Sequence, residues 1–247
     1  MRGLWKLTLT ELKLFLREQV AAFFTLIFPL MMLFIFGSIY GNKPTPIFGG
    51  FGNVDISVPA YGAMIIATSG LISLPILLAT YRELRIFARF QATPIHPISI
   101  FLAHITVLVT VNFLGLILLA AAGKLVYHLR FAGNMILVVA AYFYCSLAFL
   151  AIGFLLGSVV RSARTAQIVG MVFFFPMIFF SGATIPREFL PEAIRSVAQF
   201  LPLTHVVNLL RGLWIGAPPS SWPVNAGYLA ILSALSILLA VRIFRWE

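Results

Sequence analysis

Six stretches of roughly twenty residues, apolar and nearly free of charge, follow one another along this chain and leave it little choice of solvent. They run from about Ala21 to Tyr40, Val58 to Ala79, Ile98 to Ala122, Met135 to about Val160, about Thr165 to Phe180 and Trp222 to Val241. Crossing hydrocarbon takes about 20 apolar residues in a helix, because a backbone without water must satisfy its own hydrogen bonds. With 61% hydrophobic and 10% charged residues and a mean hydropathy of +1.04, water cannot be the main solvent. The expected fold class is all-α integral membrane, with six transmembrane helices. The 247 residues leave room for short connections but not for a separate soluble enzyme domain, so residues 1–247 read as a single transmembrane domain.

Charge gives the orientation. Of 17 Lys and Arg residues, 11 fall before the first span, in the 81–97 loop, in the 161–164 loop and in the tail; 6 fall in the alternate connections. The positive-inside rule puts both termini and the 81–97 loop in the cytoplasm, and a plasma (inner) membrane location is expected. The net charge of +10 sits beside apolar spans, so its partners are anionic membrane lipids rather than nucleic acid. Residues 2–18 read as an amphipathic interfacial helix, with Trp5, Leu9, Leu12 and Leu16 on one stripe and Arg2, Lys6, Lys13 and Arg17 on its neighbour. The apolar segment after it is too long for a signal-peptide core and has no small-x-small cleavage site. Pro59 and Pro223 suit first helical turns, and Asn134 and Ser221 suit N-caps.

The connection from Ser181 to Ser221 is no ordinary linker. Pro186, Pro191 and Pro202 cut it into two pieces with helical periodicity, each about half the length needed to span. In the first piece Ile194, Val197 and Leu201 share a face. In the second, Thr204, Asn208 and Arg211 line a face opposite Val206, Leu210 and Leu213. An outer re-entrant or interface-lying helical hairpin is expected.

The chemistry is defined mostly by what is missing. All seven acidic residues and every Lys and Arg lie outside the spans as drawn, which disfavours an ion-coupled carrier. The four histidines are not paired with other ligands at helical spacing, so no metal site is expected; the Gly123-Lys124 pair lacks the rest of a phosphate loop; and no Gly-x-Ser-x-Gly elbow occurs. Catalytic and cofactor residues are expected to be absent from this chain. Cys145 reads as a small packing residue. Asn112, in the middle of the third span, has two readings, an interhelical hydrogen bond or a substrate contact. Phe174 and Phe175 line either an apolar substrate path or, as composition favours, a packing face. The spacings Gly37 to Gly41 and Gly153 to Gly157 allow close helix approach.

Two stretches together resemble the permease subunit of type-2 ATP-binding-cassette (ABC) exporters. Pro176 to Trp214 reads PMIFFSGATIPREFLPEAIRSVAQFLPLTHVVNLLRGLW, which is similar to that family's end of span five with Ser181-Gly182, Pro186, Pro191, Pro202-Leu203-Thr204 and Arg211. Tyr81 to Pro97 is similar to its cytoplasmic loop, through Arg82-Glu83 and Ala92-Thr93-Pro94, although Leu84 to Phe90 contains none of the usual glycine.

The resemblance implies an exporter of amphipathic or lipid-like material, such as a drug, lipid conjugate or polysaccharide. Two permease copies, a homodimer by default, would pair with two copies of a separate ATPase subunit that carries the ATP and Mg. The 81–97 loop would be the coupling element, with Arg82, Glu83, Arg85 and Arg89 as a charged surface and Phe87 as an apolar anchor. The hairpin would be an outer gate, with Gly182, Pro186, Pro191 and Pro202 shaping it and Thr204, Asn208 and Arg211 facing an exit cavity; structural capping of the dimer is the other reading. A membrane-embedded lipid-modifying enzyme and a passive channel are the alternatives. The first lacks clustered Asp, Glu and His, and the second lacks a polar pore ring.

Overall fold

The computed structural model describes residues 13, 17, 19–86, 97–218, 220 and 222–243. The expected interfacial helix, apart from Lys13 and Arg17, lies outside them, as do Phe87, Arg89 and Ser221. Among the described residues there are no strands. Six helices are long and apolar enough to cross a membrane. These are α1 (Gln19–Tyr40), α2 (Asn53–Glu83), α3 (Pro97–Tyr127), α4 (Met135–Val159), α5 (Ala163–Phe180) and, after two short helices α6 (Glu192–Ala198) and α7 (Pro202–Trp214), α8 (Trp222–Ile243).

The hydropathy pattern locates every span, but the ends of α2 differ from expectation. The helix begins at Asn53 rather than Val58 and runs to Glu83, which puts Pro59 inside it instead of in its first turn. Asp55 and Glu83, expected outside the spans, are therefore residues of the helix near its two ends. The early start has a local cause: Asp55 Oδ2 accepts from Gly52 N at 2.9 Å, so a third-position carboxylate caps the helix from within. Asn134 caps α4 as expected, accepting from Ile136 N at 2.9 Å and Leu137 N at 3.3 Å, and Ser162 caps α5.

The helix α2 is the core of the protein. In its most apolar stretch 94% of residues are buried, against 22 to 50% in the other five spans, whose outer faces carry the lipid-facing apolar side chains. Five helices, α1, α3, α4, α5 and α7, pack around it. Close approach depends on glycine. A Cβ on Gly153 of α4 would run into the Gly70 carbonyl of α2, and one on Gly170 of α5 into the Leu71 carbonyl. Gly157, four residues after Gly153, meets Leu78 and Pro75, so this GxxxG face seats α4 on α2. The other spacing works differently: Gly37 packs under the Tyr127 ring, and Gly41 ends α1 at a φ of 63°.

Both α1 and α2 contain a π-helical turn, Phe23–Ile27 and Ser69–Ser73, each followed two residues later by a proline, Pro29 and Pro75. Proline removes one backbone donor and crowds the preceding turn; widening that turn to i→i+5 bonding absorbs both effects. The Thr68 hydroxyl lies between the two helices, 3.0 Å from Met64 O and 3.3 Å from Phe24 O.

Candidate functional site

Four groups of polar or aromatic residues stand out, three of them along α2 and one on the hairpin. At the C-terminal end of α2 the sequence predicts a coupling surface. Arg82 is partly buried, with Nη1 donating to Val160 O at 2.7 Å and to Gly157 O at 3.4 Å. These are the unpaired carbonyls at the C-terminus of α4, where a cation also complements the helix dipole. Glu83, Leu84 and Arg85 are exposed, with Leu84 56% exposed. Arg85 has a φ of 50°, the left-handed conformation that ends helices and that glycine usually supplies. The missing glycine of this loop thus has a counterpart in the backbone of Arg85.

In the middle of the bundle Asn112 is fully buried and joins three helices. Ser69 Oγ of α2 donates to Asn112 Oδ1, Asn112 Nδ2 donates to Ser146 Oγ of α4 at 3.3 Å, and Tyr142 OH donates to Asn112 O at 3.0 Å. These bonds fit the interhelical reading of Asn112. Phe174 is also fully buried, and its ring meets Phe24 edge-on at 6.0 Å in the core rather than lining open space. Phe175 is 37% exposed at the edge of the same cluster.

At the N-terminal end of α2 is a site the sequence reading missed. The Asp55 carboxylate has no exposed surface, and besides Gly52 N it accepts from Asn42 Nδ2 at 2.8 Å and from Arg130 N at 2.7 Å. Asn42 closes a reciprocal pair by accepting from Asp55 N at 3.1 Å and donates again to Tyr127 O at 3.1 Å. One carboxylate thus ties the α1–α2 connection and the α3–α4 connection to the end of α2. The available signal was an Asp just after a Gly/Asn-rich loop, but its partners are 13 and 75 residues away.

The hairpin residues fall on both sides of α7. Thr204, expected on the polar face, is buried and donates to Ala198 O at 2.6 Å, holding α6 to α7. Asn208 and Arg211 form an outward cluster with the 3-10 turn Arg187–Phe189. Arg211 makes a two-pronged ion pair with Glu188 at 2.7 and 3.3 Å and lies 5.7 Å from the Phe48 ring centre. Phe48, on the α1–α2 connection, meets Phe189 edge-on at 6.2 Å. The prolines begin the pieces: Pro186 precedes the 3-10 turn, Pro191 precedes α6 and Pro202 is in the first turn of α7. Gly182 has a φ of 89°, and a Cβ there would sit 2.7 Å from Arg187 Cγ, so the stem of Arg187 occupies the space a side chain would fill. Val197, expected on the packed face of α6, is 62% exposed, because this seven-residue helix is seated through Ala198 instead.

The model of the ABC-2 type transporter membrane domain matches residues 2–215, a range that includes five of the spans, both clusters at the ends of α2, and α7. The chain belongs to the ABC-2 type transporter family. Its fold is that of a multi-pass transport permease, and among the described residues no group of His, Cys, Asp and Glu could hold a metal. Similar proteins include Nodulation protein J of Rhizobium leguminosarum bv. viciae, 36% identical over 70 residues, 28% of this chain and 27% of that one. Nodulation protein J of Rhizobium meliloti is 31% identical over the same length. The inner membrane transport permease YhhJ of Escherichia coli is 27% identical over 155 residues, 60% of this ABC-2 chain and 41% of its own. The matches thus span between about a quarter and two fifths of the length of these relatives.

Proposed function

We propose that this chain is the membrane subunit of an ATP-driven exporter, working as a homodimer in which each copy docks one separate ATPase subunit. The family match over residues 2–215 carries the reading. The basic excess on the side of the 81–97 loop supports a cytoplasmic placement of that loop and of both termini in a plasma or inner membrane, where YhhJ by its name resides. Glu83, Arg85, Phe87 and Arg89 are then the docking surface, and Arg82 sets its position by bonding the end of α4. ATP and Mg would be held by the ATPase, whose closure switches the permease pair between inward and outward access.

The cargo in this reading is amphipathic or lipid-like, because spans whose interior is mostly apolar around the Asn112 network cannot compensate a bare ion. The α6–α7 hairpin acts as the outer gate. Its Arg211–Glu188 pair, its Arg187–Asn208 contact and its Phe189–Phe48 packing are the features that support a closed state.

The test is gentle purification of the tagged protein from its host. An ABC ATPase should co-purify in equal amount and be released by Glu83→Arg combined with Phe87→Ala. A well-folded permease that purifies with no ATPase would end the reading.

A further inference from the structure

Among the described residues two guanidiniums of the hairpin, Arg187 and Arg195, form no ion pair; Arg195 is exposed and bonds Leu190 O, whereas Arg187 is partly buried beside Arg211. Of these two neighbouring cations, Arg211 takes both oxygens of Glu188, and Arg187 is left with a neutral acceptor, Asn208 Oδ1, at 3.4 Å, beyond the usual N–H···O range. Among the described residues Arg187 forms no ion pair, and its Nε is buried with no acceptor in reach. Three residues earlier, in the turn that Gly182 opens, the Thr184 hydroxyl is buried and equally unpartnered. With its Nε edge buried and unpartnered, the Arg187 guanidinium is short of acceptors inside the chain, and its partly exposed outer nitrogens are left to meet one from outside. The stem of Arg187 is fixed over Gly182, so the guanidinium is preorganised.

The surroundings define the rest of the ligand. Ile185 and Phe189, on either side of Arg187 in sequence, are 38% and 60% exposed, which puts apolar surface next to the charge. We propose that Arg187, beside Asn208, forms an oxyanion site for a phosphate-class group, best matched by the headgroup of an amphiphile whose apolar part lies along Ile185 and Phe189. Arginine suits such a group because its planar donors match phosphate oxygens. The inference rests on the exporter reading only in that it names the headgroup chemistry of the amphipathic cargo; the site itself is a property of the permease alone.

The test uses the full-length permease without ATPase. Native mass spectrometry would compare retained phosphatidylglycerol with phosphatidylcholine, and calorimetric titration with inorganic phosphate at constant ionic strength would cover the soluble source. Arg187→Gln should weaken anion binding roughly ten- to a hundredfold, the factor a charge-assisted hydrogen bond carries. Arg187→Lys should fall between the two, and Arg195→Gln, which removes the same charge from the same hairpin, should bind as the unmodified chain does. Arg187-dependent preference for phosphatidylglycerol identifies a lipid headgroup; Arg187-dependent phosphate binding without lipid preference identifies a soluble phosphate group. Equal binding of both probes by the unmodified chain and a monodisperse Arg187→Gln variant would overturn the site, while leaving ATPase pairing to its own experiment.

Discussion

The side chain of Arg82 caps the backbone of Val160: a guanidinium nitrogen at the end of α2 lies 2.7 Å from the carbonyl that closes α4. The two helices that pack through Gly70 and Gly153 in the bundle interior are therefore joined again where they leave it. Arg82→Ala should lower stability by about 1–3 kcal/mol, because the α4 carbonyls lose a charged donor. Arg82→Lys should restore only part of it, since a single ammonium cannot reproduce the planar fork. Thermal unfolding in detergent, followed by intrinsic fluorescence, measures both. An unchanged melting temperature for the alanine variant would show that the contact does not hold the helices.

Asn42 and Asp55 should behave as one unit. Each single alanine variant leaves buried donors of the other unpaired, so the double variant should cost less than the sum of the singles, with a coupling of about 0.5–3 kcal/mol. A double-mutant cycle by thermal unfolding reads the coupling directly. Strict additivity would refute the reciprocal pair.

Much of the fold was legible in the sequence because span centres are set by transfer free energy, a local sum over side chains. The ends of α2 were not. Its start is capped locally by Asp55 on Gly52 N, but Asp55 is held there by Asn42 and the Arg130 amide, and the end of the helix is held by Arg82 meeting α4, distant contacts that sequence spacing cannot reveal. For the same reason the bond from Arg82 to the end of α4 was not visible in the sequence. Asn112 was visible as the odd polar residue of its span, but its partners Ser69 and Ser146 on two other helices were not. The polar stripe of α7 was half legible: periodicity located Asn208 and Arg211, while Thr204 turned inward to bond Ala198.

Gly153→Leu should drive α4 off α2 and leave little folded protein, because its Cβ alone meets backbone that cannot move aside. Gly227→Ala, on the face of α8 where nothing lies within 4 Å, should be neutral. Yield and size-exclusion profile distinguish the two. Normal folding of the leucine variant would contradict the backbone contact.

Reversing the hairpin ion pair tests the proposed gate. Glu188→Arg should impair transport, since it places a third cation beside Arg187 and Arg211. Adding Arg211→Glu should recover activity in part, while stability changes by no more than about 1 kcal/mol because the pair is partly exposed. Transport assayed with the ATPase present is the readout. If the single and double variants transport equally well, the pair has no gating role.

Burial of α2 on all sides has a kinematic consequence. A rod whose backbone touches α4 and α5 through Gly153 and Gly170, and which is fastened by Asp55 at one end and Arg82 at the other, can neither spin nor slide alone. It must travel with those two helices as one rigid block. Any relative motion within the chain is left to the elements held by softer contacts: α1, joined to α2 across two widened turns, and the short α6, which bonds α7 through the Thr204 hydroxyl and packs lightly on α5.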